Sequence, residues 1–413
     1  MPEWGTQLKT VFLGLGFAVF CANLGFLAAY TFLPLYTLRL GANMAEVGML
    51  LAVYSVVSTI MMVVLGRISD IGGLRRVLII LGLSGSTTVY WLLGASRSYT
   101  QLLLLWGLLG VTDSAYRPAA VAVIAEITPG KKVGRDIGIF NAFISAGMAA
   151  GCLVGGVIAD LSGLAFVFTA ASLVLLMGVV SSLVALVFSG STVAAGSSSR
   201  VMKKEGTGLI SSRYLVTSGL LLLCVDVFLR NSGFRGVTTF LPVYLAGLGA
   251  ENSLTGTIIA VNFASQVAFM PMMGWLSDKV GRKHVLSIGM LATLAATFTL
   301  SMINNPIDVI PIELAVAFSW AAITVASNAF AADVAPPERL GEAMGVVLTS
   351  MNLGGVVGPV AAGFISHRFD LRTTFQALTI FPLLGFLFSL RLKSPGKSVK
   401  HKAEVEVARE TDL

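Results

Sequence analysis

Charge is scarce in this chain. Asp, Glu, Lys and Arg make up 12% of its 413 residues against 55% hydrophobic ones, a balance outside the range of soluble globular domains. Histidine and cysteine occur three times each. Cys21, Cys152 and Cys224 all fall inside apolar runs, so they give no disulfide framework or metal cluster. His284, His367 and His401 lie outside the apolar core, and there is no metal-ligand spacing and no phosphate-binding glycine loop on a strand. Nucleotide-driven transport, cofactors, bound metal and enzymatic catalysis are therefore not expected. Alternating polarity is missing as well. Stretches such as LLLLWGLLG and LLLCVDVFL do not alternate, which sets aside a spanning β-barrel. The nine residues before the first apolar run end in no small-residue cleavage site, so that run reads as a retained helix.

What the chain does have is twelve apolar runs, the first at 10–36 and the last at 372–391. Each is long enough for a hydrocarbon core of roughly 30 Å, which needs about 20 helical residues. The expected fold is an all-α membrane protein of 12 transmembrane helices. A net charge of +7 could point to nucleic acid, but its distribution follows topology. With the N-terminus cytoplasmic, 21 of the 28 Lys and Arg fall on cytoplasmic segments, and only Arg39, Arg97, Arg368 and Arg372 fall on the opposite side. That bias places both termini in the cytoplasm.

Residues 189–212, rich in Ser and Gly with a basic cluster, divide the helices six and six. The expected organisation is an N-terminal bundle at 1–188, a cytoplasmic linker at 189–212, a C-terminal bundle at 213–392 and a charged tail at 393–413. The bundles are copies. TFLPLY at 31–36 matches TFLPVY at 239–244, and NLGF at 23–26 matches NSGF at 231–234, both at an offset of 208. AEITP at 125–129 pairs with ADVAP at 332–336 at 207. Six is even, so both copies enter the membrane from the same side, a parallel repeat about an axis along the membrane normal.

Between the second and third helices of each copy stand GRISDIGGLRR and GWLSDKVGRKH, at 66–76 and 274–284. With these loops the chain resembles the major facilitator superfamily of secondary transporters across residues 8–392. The second copy of the loop signature is complete in Gly274, Asp278, Lys279, Gly281, Arg282 and Lys283; the first keeps Gly66, Asp70, Gly73, Arg75 and Arg76. Glycine supplies the tight reversal and the basic residues anchor the cytoplasmic ends. The resemblance implies that Asp70 reaches the start of helix 11, where the helix dipole favours a carboxylate, as a gate between the halves. Helix 5 carries Gly138, Gly147, Gly151, Gly155 and Gly156, which resemble the antiporter motif of drug/proton exchangers; Cys152 stands where that motif has proline, and the proline appears in the second copy as Pro359.

Ionisable groups inside the membrane are expensive and mark function. Helix 4 holds Asp113, Tyr116 and Arg117; helix 7 holds Asp226, Arg230 and Arg235. Both acid–arginine pairs have i, i+4 spacing and can close on one helical face. Asp113 and Asp226 are the candidate proton carriers. Three arginines against two aspartates leave a positive surplus, which hints at an anionic substrate. Asn23, Phe26 and Tyr30 share a face of helix 1, and Asn231 and Phe234 one of helix 7; Asn262, Gln266, Trp320 and Asn328 add polar and aromatic positions on helices 8 and 10. Together with Tyr116 and the three arginines they are the candidate substrate contacts. Glu126 and Asp333 are repeat-equivalent and are expected to gate against Arg135 and Arg339. The leading reading is a monomeric, proton-coupled transporter that exports or exchanges a small organic compound across the cell membrane. An organic-anion uptake transporter and a non-transporting receptor or lipid-handling protein on the same scaffold are the alternatives.

Overall fold

A computed structural model of the chain describes residues 6–69, 74–127, 133–188, 219–335 and 339–392. The helices are α1 (Thr6–Arg39), α2 (Met44–Ser69), α3 (Leu74–Gly94), α4 (Tyr99–Ile127), α5 (Val133–Ser162), α6 (Leu164–Phe188), α7 (Leu220–Gly247), α8 (Asn252–Val280), α9 (Arg282–Leu300), α10 (Val309–Val334), α11 (Leu340–Arg368), α12 (Leu371–Leu378) and α13 (Ile380–Ser389). A 3-10 turn at Pro306–Asp308 leads into α10. α12 and α13 form the twelfth span, interrupted at Thr379. Among the described residues there is no strand. A helix closes its own backbone hydrogen bonds, which is what a segment surrounded by acyl chains requires. The exterior agrees: Leu104, Leu161, Leu173 and Trp275 are exposed. Ten spans are apolar enough to cross a membrane by composition alone. α4 and α7, the two that carry the intramembrane charge pairs, are not among those ten.

The chain folds into two compact units, Met1–Lys203 with Pro242–Ala264, and Lys204–Leu241 with Ser265–Leu413. In the first, α1 packs on α5 and α6, α4 packs on α2 and α3, and α3 packs on α6. In the second, α10 packs on α9 and α11, and α9 packs on α12 and α13.

The repeat is visible in how the helices touch. Gly147 and Gly151 on α5 leave no room for a Cβ against the carbonyls of Phe20 and Leu24 on α1. Their counterparts Gly354 and Gly358 on α11 do the same against Phe228 and Ser232 of α7. Small residues are the means by which apolar helices approach closely in lipid, where burial itself gives no drive.

The two copies differ at one helix start. α2 is capped locally: Asn43 N–H donates to Glu46 Oε2 at 2.7 Å and Glu46 N–H donates to Asn43 Oδ1 at 3.0 Å, a reciprocal capping box. α8 borrows its cap from α5. Asp160 Oδ1 accepts from Asn252 N–H at 3.0 Å and from Asn252 Nδ2 at 2.7 Å, and Asp160 Oδ2 accepts from Ser253 N–H at 2.7 Å. Gly156 and Gly256 bring α5 and the start of α8 together, with Asn252 and Cys152 as their respective neighbours. Asp370, between spans, caps α12 by accepting from Thr373 N–H at 3.2 Å. That hydrogen bond holds its carboxyl below the usual range.

Candidate functional site

In the first unit the site is built around Asp113, 3% exposed on α4. Its carboxylate accepts three hydrogen bonds from three helices. Tyr54 on α2 donates to Oδ2 at 2.9 Å, Ser86 on α3 donates to Oδ1 at 3.0 Å, and Arg117 on α4 donates to Oδ2 at 3.2 Å. The last is an ion pair, so the i, i+4 expectation holds here. Arg117 also lies over the Phe26 ring, Cζ to centroid 5.0 Å, and near Tyr116 at 5.9 Å. Phe26, Tyr30, Tyr54 and Trp106 form one aromatic group with centroid separations from 5.5 to 6.4 Å. Asn23 is buried, but its Nδ2 donates to Val19 O at 2.8 Å within α1. Asn262 is buried on α8.

The second unit arranges the same residue types differently. Asp226 is fully buried and neither carboxylate oxygen has a hydrogen-bond partner among the described residues. Arg230, one turn later and 1% exposed, does not close on it. The expectation of a second i, i+4 ion pair is therefore wrong. The guanidinium lies instead against two rings, 4.2 Å from the Phe234 centroid and 4.8 Å from that of Trp320. Phe234 stands one turn after Arg230 on α7 and Asp226 one turn before, so a guanidinium held on the rings is held away from the acid. Arg230 Nη1 makes a long 3.4 Å contact with Asn231 Oδ1, while Asn231 Nδ2 donates to Met351 O. Gln266 is buried, Arg235 half-buried and Asn328 exposed.

A third acid belongs to this unit. Glu313 on α10 is 2% exposed and borders a cavity with Arg230, Phe234, Thr293 and Ser319. With it, the spans hold three acids and three arginines, so the excess of arginines over acids counted from the sequence is gone. The repeat offset of 207 relates Glu313 to Trp106, and Trp320 to Asp113. Acid and indole have thus exchanged places along equivalent helices, about 10 Å apart at 1.5 Å per residue. In both units a guanidinium lies on the repeat-related Phe26 or Phe234, although Arg117 comes from α4 and Arg230 from α7.

At the loop ends, Arg282 ties Asp278 on α8 to Asp333 on α10, its Nε donating to Asp333 Oδ2 at 3.0 Å. Asp333 was expected to gate against Arg339; the ion pair shown here is with Arg282. Gly281 has φ +100°, a conformation that glycine adopts without strain, and Gly274 precedes it on α8. In the first copy Arg75 Nε donates to Ser69 O at 3.2 Å, a Cβ on Gly66 would meet open space, and Arg76 lies in the first turn of α3. Asp70 and Gly73, the linker 189–212 and the tail 393–413 lie outside the described residues, as do the side chains of Glu126 and Arg135. Of the helix 5 glycines, Gly147, Gly151 and Gly155 meet α1 and Gly156 meets the start of α8, while Gly138 has open space around it. Cys152 Sγ lies 3.6 Å from Thr31 Oγ1.

A family model described as Major Facilitator Superfamily matches residues 15–251 and 227–411. The chain belongs to the Major Facilitator Superfamily. Superfamily relatives include the multi-drug resistance efflux pump PmrA homolog of Lactococcus lactis, 22% identical over 405 residues, covering 94% of this chain and 95% of that protein. The multidrug resistance protein MdtG of Proteus mirabilis is 25% identical over 403 residues, covering 94% and 97%. Among solved structures, a bacterial homolog of the human lysosomal transporter Spinster, inward-facing and occupied, shares the fold with a TM-score of 0.77 at 16% identity, covering 94% of this chain and 97% of that one. This superfamily member is a multi-pass membrane protein and a secondary transporter of small molecules, not an enzyme.

Tyr54, Ser86 and Glu313 were not among the expected site residues of this superfamily member. Tyr54 and Ser86 look like ordinary polar residues of helices 2 and 3 until Asp113 is placed between them. Glu313 does leave a trace in the sequence, because it stands where the first copy has Trp106.

Proposed function

We propose that the protein is a proton-coupled exporter of small organic compounds that works by alternating access, with Asp226 as the proton carrier. The observation that carries this reading is the contrast between the two acids. An ionised carboxylate with no partner in an apolar interior costs several kcal/mol or more, so the setting of Asp226 suits the protonated acid. Asp113 accepts from three donors on three helices, one of them the Arg117 guanidinium, so its carboxyl ties α2, α3 and α4 together. Losing its proton would give Asp226 a reason to recruit Arg230 from the rings, so protonation and the substrate region are linked through one side chain. Export of small organic compounds is supported by the multidrug resistance and efflux names of the relatives. The bundles 1–188 and 213–392 are proposed as the rocking halves, joined by 189–212, in a protein that acts as a monomer in the bilayer. Asp70, Glu126, Arg135 and Arg339, with the loop glycines, are proposed as gate elements.

The test is transport by purified protein in liposomes with an imposed pH gradient, against a panel of lipophilic drugs and aromatic carboxylates. Accumulation of at least one compound, abolished by a protonophore, is the expected result. Accumulation that ignores the protonophore for every transported compound would end the proton reading.

A further inference from the structure

We propose that Arg230 is the receptor for a single carboxylate of an amphipathic substrate, a reading that deepens the transport function above and rests on it. The count of acids and arginines in the core no longer argues for an anion once Glu313 is included, but the local geometry of Arg230 does. Its guanidinium is 1% exposed, and its Nε and Nη2 have no acceptor. These two N–H groups form the side-on edge of the guanidinium, which matches both oxygens of a carboxylate in parallel. Nη1, on the other edge, makes the long 3.4 Å contact with Asn231.

The rings of Phe234 and Trp320 hold the cation without accepting a hydrogen bond from that edge. They also offer an apolar wall to whatever carries the carboxylate. The group borders a cavity with Thr238, Thr293, Ser319 and Glu313 and about 10 Å³ of water-sized space. That suffices for one small oxygen-sized group, so a ligand enters as the cavity widens in the transport cycle. Asp226 is on the preceding turn and does not take the edge.

Glu313 sets the selectivity. An acid on the same cavity wall offers no cation to a second carboxylate, so the site takes a monocarboxylate attached to an aromatic body and disfavours a dianion.

The experiment uses the full-length protein in lipid nanodiscs and three probes of one shape: 2-naphthoate, 2-naphthamide and 2-naphthylmethylammonium. Binding is followed by quenching of tryptophan fluorescence, with Trp320→Phe marking the contribution of the site. The naphthoate should bind at least ten-fold more tightly than the amide or the ammonium. Arg230→Gln should bring the naphthoate and the amide to within two-fold of each other, and Arg230→Lys should fall between. Naphthalene-2,6-dicarboxylate should bind more weakly than the naphthoate and regain affinity in Glu313→Gln. Equal affinity for the naphthoate and the amide in the unaltered protein would overturn the proposal without any variant, as would a preference that survives Arg230→Gln. Proton-driven transport of the panel, measured on the same preparation, separates the two readings. Coupled transport with no carboxylate preference removes only the substrate class, whereas a carboxylate preference without coupling removes only the proton reading.

Discussion

Asp113 and Asp226 each precede an arginine by four residues on a helix inside the membrane, yet they end in opposite surroundings. Asp113 collects Tyr54, Ser86 and Arg117; Asp226 collects nothing. Spacing on one helix makes a pair geometrically available, but it does not choose it. The choice falls to the neighbouring helices. Around α4 they supply hydroxyl donors to the acid, whereas around α7 a neighbour supplies the Trp320 ring, which joins Phe234 of α7 itself in holding the arginine. A fully satisfied buried charge is a fixed part of the scaffold, while an unsatisfied one is poised to change state.

The largest expected effect comes from removing the poised acid. Asp226→Asn should abolish pH-gradient-driven transport while leaving the melting temperature of the purified protein at or above its original value, because a neutral amide replaces an acid that needed a proton. Loss of stability with coupling intact would reverse the roles assigned to the two acids. Asp113→Ala should do the opposite and lower stability by about 3 kcal/mol, the order found when one partner of a buried pair is removed. That figure falls somewhat because the Arg117 side chain is 36% exposed. Denaturant titration in detergent measures it. A smaller loss, about 1 kcal/mol, is expected for Asp160→Ala, which deprives α8 of its borrowed cap, whereas Glu46→Ala at the locally capped α2 should alter only that helix start. Hydrogen exchange at Asn252 and Ser253 reads the difference. The smallest effect belongs to Tyr54→Phe, which removes one of three donors to Asp113 and should cost about 0.5 kcal/mol with coupling unchanged. An effect of Tyr54→Phe on the pH dependence of transport would blur the contrast between the acids.

Most of the fold was legible in the sequence because membrane spans announce themselves by length and apolarity, and a duplication shows as a constant offset. The glycine contacts follow from it, since Gly147 and Gly151 recur as Gly354 and Gly358 at the same helix crossing. The pair Asp113–Arg117 was readable from spacing, and the identical spacing of Asp226 and Arg230 misled, because the deciding rings lie partly on another helix. Glu313 escaped notice near the start of α10, where an acid reads as an end-of-helix residue; its burial is a tertiary fact. The cap on α8 was out of reach for the same reason, with Asp160 standing 92 residues before Asn252. The break at Thr379 does have a signal in the sequence, Pro382 three residues on, which has no backbone N–H to continue a helix across that point.

The central contrast is most directly open to infrared difference spectroscopy of the carboxyl C=O stretch in the reconstituted protein at neutral pH. A band from a protonated, non-hydrogen-bonded acid should be present, should vanish in Asp226→Asn and should persist in Asp113→Asn. A band that survives Asp226→Asn and vanishes in Asp113→Asn would show the proton on the wrong acid.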